Sequence, residues 1–245
     1  GIEVDYIDSL LAELNLPGLE YHPGYSLAVQ ALGPFTVWRG ETPIQARDWQ
    51  REKARELFKL LLTFRDRWMS REQIADRLWP DLDSEASSRD FKVALNALNR
   101  ALEPGRQPGS TPFFIQRSEL GYMLNPGAGV VLDAVEFEQL VLQNAEPGAP
   151  GDLLAKQKAK NLRYALDLYR QDYLSEDLDS SWTFSVERER LRALYLHAAE
   201  RLAEYYRAAS QWDDLIQLGE MVLKQDNCYE PAYGFLMEAY AARGE

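Results

Sequence analysis

Two hydrophobic rhythms divide the chain. Over residues 27–38 apolar positions alternate with small or polar ones around Gly33-Pro34: Leu27, Val29, Ala31 and Leu32 before it, Phe35 and Val37 after it. A period near two predicts two short antiparallel strands. Trp38-Arg39-Gly40-Glu41 reads as a turn, and Pro43-Ile44 stands where a third strand begins. The rhythm then becomes helical. Trp49, Ala54, Leu57, Phe58, Leu61 and Leu62 predict a helix over 49–64. A second helix runs from Ser70, an N-cap with Gln73 three residues on, to Trp79. Pro80 cannot extend it and biases Trp79 out of the α region. After a short acidic turn Ser84 offers the next cap, for a helix over 84–102 that gathers Phe91, Ala94, Leu95, Leu98 and Leu102 on one face. Residues 113–116 and 121–124 then read as a hairpin joined through Arg117-Ser118-Glu119-Leu120.

Beyond Gly127-Ala128-Gly129 the pattern is helical throughout. Asp133 is placed as the cap of a helix to Asn144, and Pro147-Gly148-Ala149-Pro150-Gly151 breaks the chain. Helices are predicted at 152–171, 184–209, 212–225 and 229–243. The second of these has a stripe of Leu191, Leu194, Tyr195, Ala198, Leu202 and Tyr205. Helices of this length joined by short turns suggest stacked pairs, as in tetratricopeptide arrays, although no strict 34-residue repeat is present. At the other end, residues 2–16 read as a short amphipathic helix (Ile2, Tyr6, Ile7, Leu10, Leu11, Leu14), closed by Pro17-Gly18 and followed by a linker. A bare helix opening at Gly1 is read as the tail of a larger protein. The expected fold class is mostly α: a winged helix-turn-helix over 27–126, an all-α tetratricopeptide-like domain over 130–245, and a helix with linker over 1–26.

Length fits this division, since 245 residues make one large or two ordinary domains. With 46% hydrophobic residues the chain has material for real cores. No apolar run approaches the roughly 18 residues of a membrane helix, so no membrane partner is expected. The single cysteine, Cys228, excludes an internal disulfide and suits a reducing cytoplasm. The net charge of −12 argues against a nucleic-acid partner when taken whole, but its distribution changes that. Residues 1–26 hold five acids and no base. Residues 27–124 hold 15 bases against 13 acids, and residues 125–245 hold 12 against 21. Only the middle segment is not acidic, and its slight excess of +2 must be gathered on one face to hold phosphates.

The helix over 84–102 supplies such a face. Opposite its apolar stripe lie Ser88, Arg89, Lys92, Asn96, Asn99 and Arg100. Arg and Lys suit phosphates and guanine edges, and Asn suits the N6/N7 edge of adenine. Arg51, Lys53 and Arg55 at the start of the first helix, Arg71 in the first turn of the second, and Gln116, Arg117 and Ser118 on the hairpin are further candidates. Trp49, Trp68 and Trp79 are assigned to packing. Catalytic motifs are missing: no GxxxxGK, no GxGxxG, no CxxC. His22 falls in the linker and His197 flanks an apolar stripe, so neither an enzyme nor a cofactor or metal is expected.

Several of these pieces together resemble a known group. They are Gly33-Pro34-Phe35-Thr36-Val37, the Leu78-Trp79-Pro80 helix ending, and Gly121-Tyr122 followed by Leu132-Asp133 and Phe137. The second half adds Ala165-Leu166-Asp167-Leu168-Tyr169, Trp182 and Glu187-Arg188-Glu189-Arg190-Leu191. Over about residues 27–245 the chain is similar to the antibiotic-regulatory (SARP/AfsR-like) class of bacterial transcription activators, which join an OmpR-type winged helix to a bacterial transcriptional activator domain. The resemblance implies binding to double-stranded DNA at promoter repeats, often as a side-by-side homodimer, with recruitment of RNA polymerase. It places the reading helix at Arg89, Lys92, Asn96, Asn99 and Arg100 and the wing at Gln116, Arg117 and Ser118. Members commonly carry an Arg pair where this chain has Asn99-Arg100 and a base where it has Ala97, so this reading helix is less basic. Larger relatives add an ATPase module. The competing expectation is a protein-interaction scaffold with a degenerate winged helix.

Overall fold

The computed structural model of the chain describes residues 22–107, 109–146, 148–149, 151–177 and 182–244, so the amphipathic stretch expected at 2–16 lies outside the described residues. The strands are β1 (Leu27–Gln30), β2 (Thr36–Arg39), β3 (Thr42–Pro43), β4 (Ile115–Ser118), β5 (Gly121–Leu124) and β6 (Val131–Leu132). Sheet order is β3-β2-β1-β6, with β4-β5 as a separate hairpin. The chain forms two compact units. Among the described residues one comprises 22–28 and Val37–Val130, the other Val29–Thr36 and 131–244.

In the first unit β2 and β3 pair antiparallel, Trp38 opposite Pro43 and Arg39 opposite Thr42. The turn is thus tighter than expected, at Gly40-Glu41. The helical stretch foreseen over 49–64 is in fact two helices. A short α1 (Ala46–Trp49) ends at Gln50, whose φ of 60° is left-handed, and α2 (Glu52–Thr63) starts afresh after an extended Arg51. Trp49 remains buried, its ring 5.9 Å from that of Phe58. The next helix, α3 (Arg71–Leu78), follows the sequence closely. Ser70 Oγ accepts from Gln73 N, Gln73 Oε1 accepts from Ser70 N, and the helix stops at Trp79 before Pro80. Helix α4 (Ser84–Leu102) is capped by Asp83, whose carboxylate accepts from the amides of Glu85 and Ala86, and not by Ser84. Both residue types cap well, and the one that sits in the extended conformation before the first turn takes the role.

Leu57, Phe58 and Leu61 of α2, Ile74 and Leu78 of α3, and Phe91, Ala94, Leu98 and Leu102 of α4 form the core with Phe114, Ile115 and Leu124 of the hairpin. Removing each such large side chain from water stabilises by about 1.5–3 kcal/mol. Two devices fix the hairpin to the helices. Met69 and Tyr122 exchange backbone hydrogen bonds of 2.9 Å in both directions, directly before the Ser70 cap. Past the end of α4, buried Glu103 Oε1 accepts from the amides of Phe113 (2.9 Å) and Phe114 (3.0 Å), with Arg106 Nε 3.5 Å from the other carboxylate oxygen. Burial raises the Glu103 pKa, against the pull of those amides and of Arg106.

In the second unit α5 (Asp133–Asn144), α6 (Leu153–Leu168), α7 (Ser185–Ala208), α8 (Trp212–Gln225) and α9 (Glu230–Arg243) each pack on the next, the stacked arrangement expected of tetratricopeptide-like helices. Its core includes Phe137, Leu162, Leu166, Leu191, Leu202, Leu218, Val222 and Phe235, and the Tyr169 ring stacks on that of Tyr195 at 4.6 Å. Asp133 proves to be the first residue of α5, with Leu132 at the cap position. Its carboxylate accepts from Ala134 and also from the amides of Ala31 (2.8 Å) and Leu32 (3.0 Å). Leu174 N donates to Ala31 O at 2.8 Å, and Arg170 donates to Gln30 at 2.9 Å. These contacts hold residues 29–36 within the second unit. Among the described residues no helix is long and apolar enough to cross a membrane.

Candidate nucleic-acid interface

Helix α4 carries the candidate site because its buried stripe leaves the opposite side to solvent. Arg89, Lys92, Asn96 and Arg100 are exposed. At about 100° per residue they fall within about 80° of arc, one continuous line down the helix. Lys92, Asn96 and Arg100 make no hydrogen bond or ion pair among the described residues, and Arg89 has only Asp90, at 3.8 Å. Ser88 is half-buried and its hydroxyl accepts from Arg71 at 3.2 Å, so the first turn of α3 is tied to the side of α4. Arg71 also lies 3.2 Å from Glu72. The Glu72 carboxyl is held below its usual range, first by a bond from its own backbone amide, then by Ser70 and Arg71.

Asn99 departs from the expected exposed stripe. It is 5% exposed, and its Oδ1 has no hydrogen-bond partner. One turn further along the same side of α4, Glu103 binds the amides of Phe113 and Phe114, so this end of the helix faces the start of the hairpin. Helix rotation alone gives a direction, not what covers it.

Arg51, the residue before α2, and Lys53 in its first turn meet α4 across a groove of about 430 Å³, lined also by Trp79, Arg89, Asp90 and Val93. Lys53 is 2.7 Å from Glu56 and its ammonium lies 6.0 Å from the Trp79 ring centre. Arg55 is half-buried and ion-paired with Glu52 at 3.5 Å. On the hairpin Arg117 is exposed, its guanidinium 6.0 Å from the Tyr122 ring, which in turn meets Phe91 edge-on at 4.9 Å. Gln116 donates to Asn125 at 3.0 Å, and the Ser118 hydroxyl accepts from Leu120 N at 3.1 Å, so both serve the hairpin itself.

Two apolar residues were missed. Val93 is 37% exposed between Arg89 and Asn96, and Leu120 at the hairpin tip is 66% exposed. Apolar positions outside the buried stripe receive no role from helical spacing, although a methyl group can meet the thymine methyl in a major groove. His22 and His197 are both exposed. Among the described residues no group of three or more His, Cys, Asp or Glu side chains could hold a metal ion.

Residues 132–245 match the family model of the bacterial transcriptional activator domain. The structure is similar to that of Mycobacterium tuberculosis EmbR in complex with a low-affinity phosphopeptide, with a TM-score of 0.68 over 90% of this chain at 18% identity. The chain spans 55% of the length of that protein. No curated protein matches. The match over residues 132–245 and the likeness to that structure fit a fold in which a winged helix-turn-helix is followed by a helical domain.

Proposed function

We propose that the protein binds double-stranded DNA and activates transcription. Helix α4 enters the major groove and the β4–β5 hairpin lies on the adjacent groove. The helical second unit serves dimerisation on promoter repeats or regulation, and RNA polymerase is the recruited partner. The observation that carries the reading is the exposed line Arg89, Lys92, Asn96 and Arg100 on α4. Lys92 and Arg100, which have no ion pair among the described residues, are ready to replace counterions on a phosphate, and an amide in the same line is the side chain that reads adenine. Arg71, held beside the same helix, and Arg117 on the hairpin extend the cationic surface.

The test is binding to the duplex upstream of the protein's own gene. Lys92→Ala and Asn96→Ala should each weaken it by about 1–3 kcal/mol without loss of thermal stability. The two should differ in kind, since Lys92→Ala lowers affinity for any duplex while Asn96→Ala relaxes preference at one base pair. Wild-type affinity in both variants would show that the wrong face was chosen.

A further inference from the structure

Between Leu102, where α4 ends, and Ile115, where β4 begins, the chain passes Pro104, Gly105, Pro108, Gly109 and Pro112. Among the described residues of this link there is no helix or strand to carry a direction into the hairpin. Its aim is therefore set by non-covalent ties, and two of them meet at its root. Glu103 is 2% exposed, and its Oε1 accepts from the amides of Phe113 (2.9 Å) and Phe114 (3.0 Å). Tyr25, which precedes β1, donates its hydroxyl to Leu102 O at 2.7 Å, and its ring stacks on that of Phe114 with centres 6.0 Å apart.

The root is one piece with the strands. Asn125 Nδ2 donates to Phe113 O and Asn125 N to Phe114 O, both at 2.8 Å, and Gln116 donates to Asn125 Oδ1 at 3.0 Å. A change at the root thus tilts the whole hairpin. Arg117 lies three strand residues beyond Phe114, about 10 Å away, so a tilt of about 15° displaces it by about 2.6 Å, close to the full length of a hydrogen bond. We propose that Glu103 and Tyr25 are positioning residues: they fix the angle between the reading helix and the hairpin, and so deliver Arg117 to the DNA backbone beside the groove that α4 enters. This role rests on the proposed DNA reading. Neither side chain acts by touching DNA, since Glu103 is buried and anionic and the Tyr25 hydroxyl is occupied by a helix carbonyl.

The test is a double-mutant cycle on the full chain, read by duplex binding at a temperature where every form is folded. Arg117→Ala should weaken binding by about three- to tenfold, as for the loss of one charge-assisted phosphate contact. Glu103→Ala should weaken it by a similar factor. That direction is diagnostic, because removing an acid by itself favours a phosphate partner. Adding Glu103→Ala to Arg117→Ala should cost less than about twofold more, since a hairpin without its arginine has no contact left to misplace. Tyr25→Phe removes one hydroxyl and keeps the ring, and should show the same coupling at smaller size; it keeps the role decidable if Glu103→Ala does not fold.

Losses that multiply in the double variant would overturn the role, as would wild-type affinity in both Glu103→Ala and Tyr25→Phe, or in Arg117→Ala. Amide hydrogen exchange without DNA reads the joint by itself. The Phe113 and Phe114 amides should exchange about tenfold faster in Glu103→Ala than in wild type, and unchanged exchange would overturn the tie on which the role depends. If exchange responds but no form of the protein binds any duplex, the DNA reading is what fails and takes the positioning role with it, while the joint stands as a structural tie alone.

Discussion

Gly121→Ala tests how the hairpin is fixed to the helices. Gly121 has φ +128°, a conformation that costs a non-glycine residue about 1–3 kcal/mol. A Cβ there would stand 2.0 Å from Met69 O and 2.6 Å from Met69 C, both backbone atoms that cannot turn aside. Relief requires the strand to move away from Met69. That lengthens two reciprocal backbone hydrogen bonds of 2.9 Å, each worth about 1 kcal/mol net, and loosens the Tyr122–Phe91 ring contact at 4.9 Å, worth about 0.5–1.5 kcal/mol. The expected loss is about 3–5 kcal/mol, a large share of the 5–15 kcal/mol that holds a typical domain folded. Urea denaturation followed by tryptophan fluorescence measures it. Gly109→Ala is the control: φ is +88° but a Cβ meets nothing within 4 Å, so only the backbone cost of about 1–2 kcal/mol applies. A Gly121→Ala loss no larger than that of Gly109→Ala would refute the reasoning, because the steric contact would then contribute nothing.

Three further predictions concern capping, burial and pH. Asp83→Ala should cost about 1 kcal/mol in urea denaturation while Ser84→Ala changes little, since Asp83 holds the first amides of α4; the reverse order would restore Ser84 as the cap. Asn99→Ala should leave duplex affinity within about twofold of wild type by fluorescence anisotropy, because the side chain is buried; a tenfold loss would mean that it does reach a base. Glu103 has a folded pKa raised above its unfolded value, so its contribution is greatest below the ordinary carboxylate range near pH 4 and is lost as pH rises through the folded value. Stability of wild type relative to Glu103→Gln should therefore fall as pH increases from 4 to 7; a flat difference across that window would remove the raised pKa.

Long segments with a strong period were legible from the residues alone. The positions of α3, α4, α8 and α9 and of the β4–β5 hairpin followed from apolar spacing, the Ser70–Gln73 box and Pro80, because each of these signals acts within one or two turns. What depends on distant partners was not. The Asp133 carboxylate reads as a helix cap, yet two of its three amides come from Ala31 and Leu32, about a hundred residues away. Trp49 and Leu57 share a helical spacing, but the left-handed Gln50 between them starts a new helix, and nothing in a Gln announces that conformation. At the site, the line Arg89, Lys92, Asn96 and Arg100 follows from rotation about the α4 axis. Asn99 fails the same reasoning: it is buried one turn before Glu103, which binds the amides of Phe113 and Phe114, and spacing along one helix does not reveal such distant partners. The pairing of Arg71 with Ser88 also joins residues seventeen apart on two helices, which sequence spacing does not reveal.

The central claim is that one exposed line of α4 holds DNA. Its most direct measurement is the salt dependence of duplex binding for wild type and for the Lys92→Ala, Arg100→Ala double variant. Each phosphate contact contributes about −0.9 to the slope of log affinity against log salt, so the account predicts a wild-type slope of about −3 to −6 that becomes shallower by about 2 in the variant. A wild-type slope near zero, or a slope unchanged by removing both cations, would contradict it.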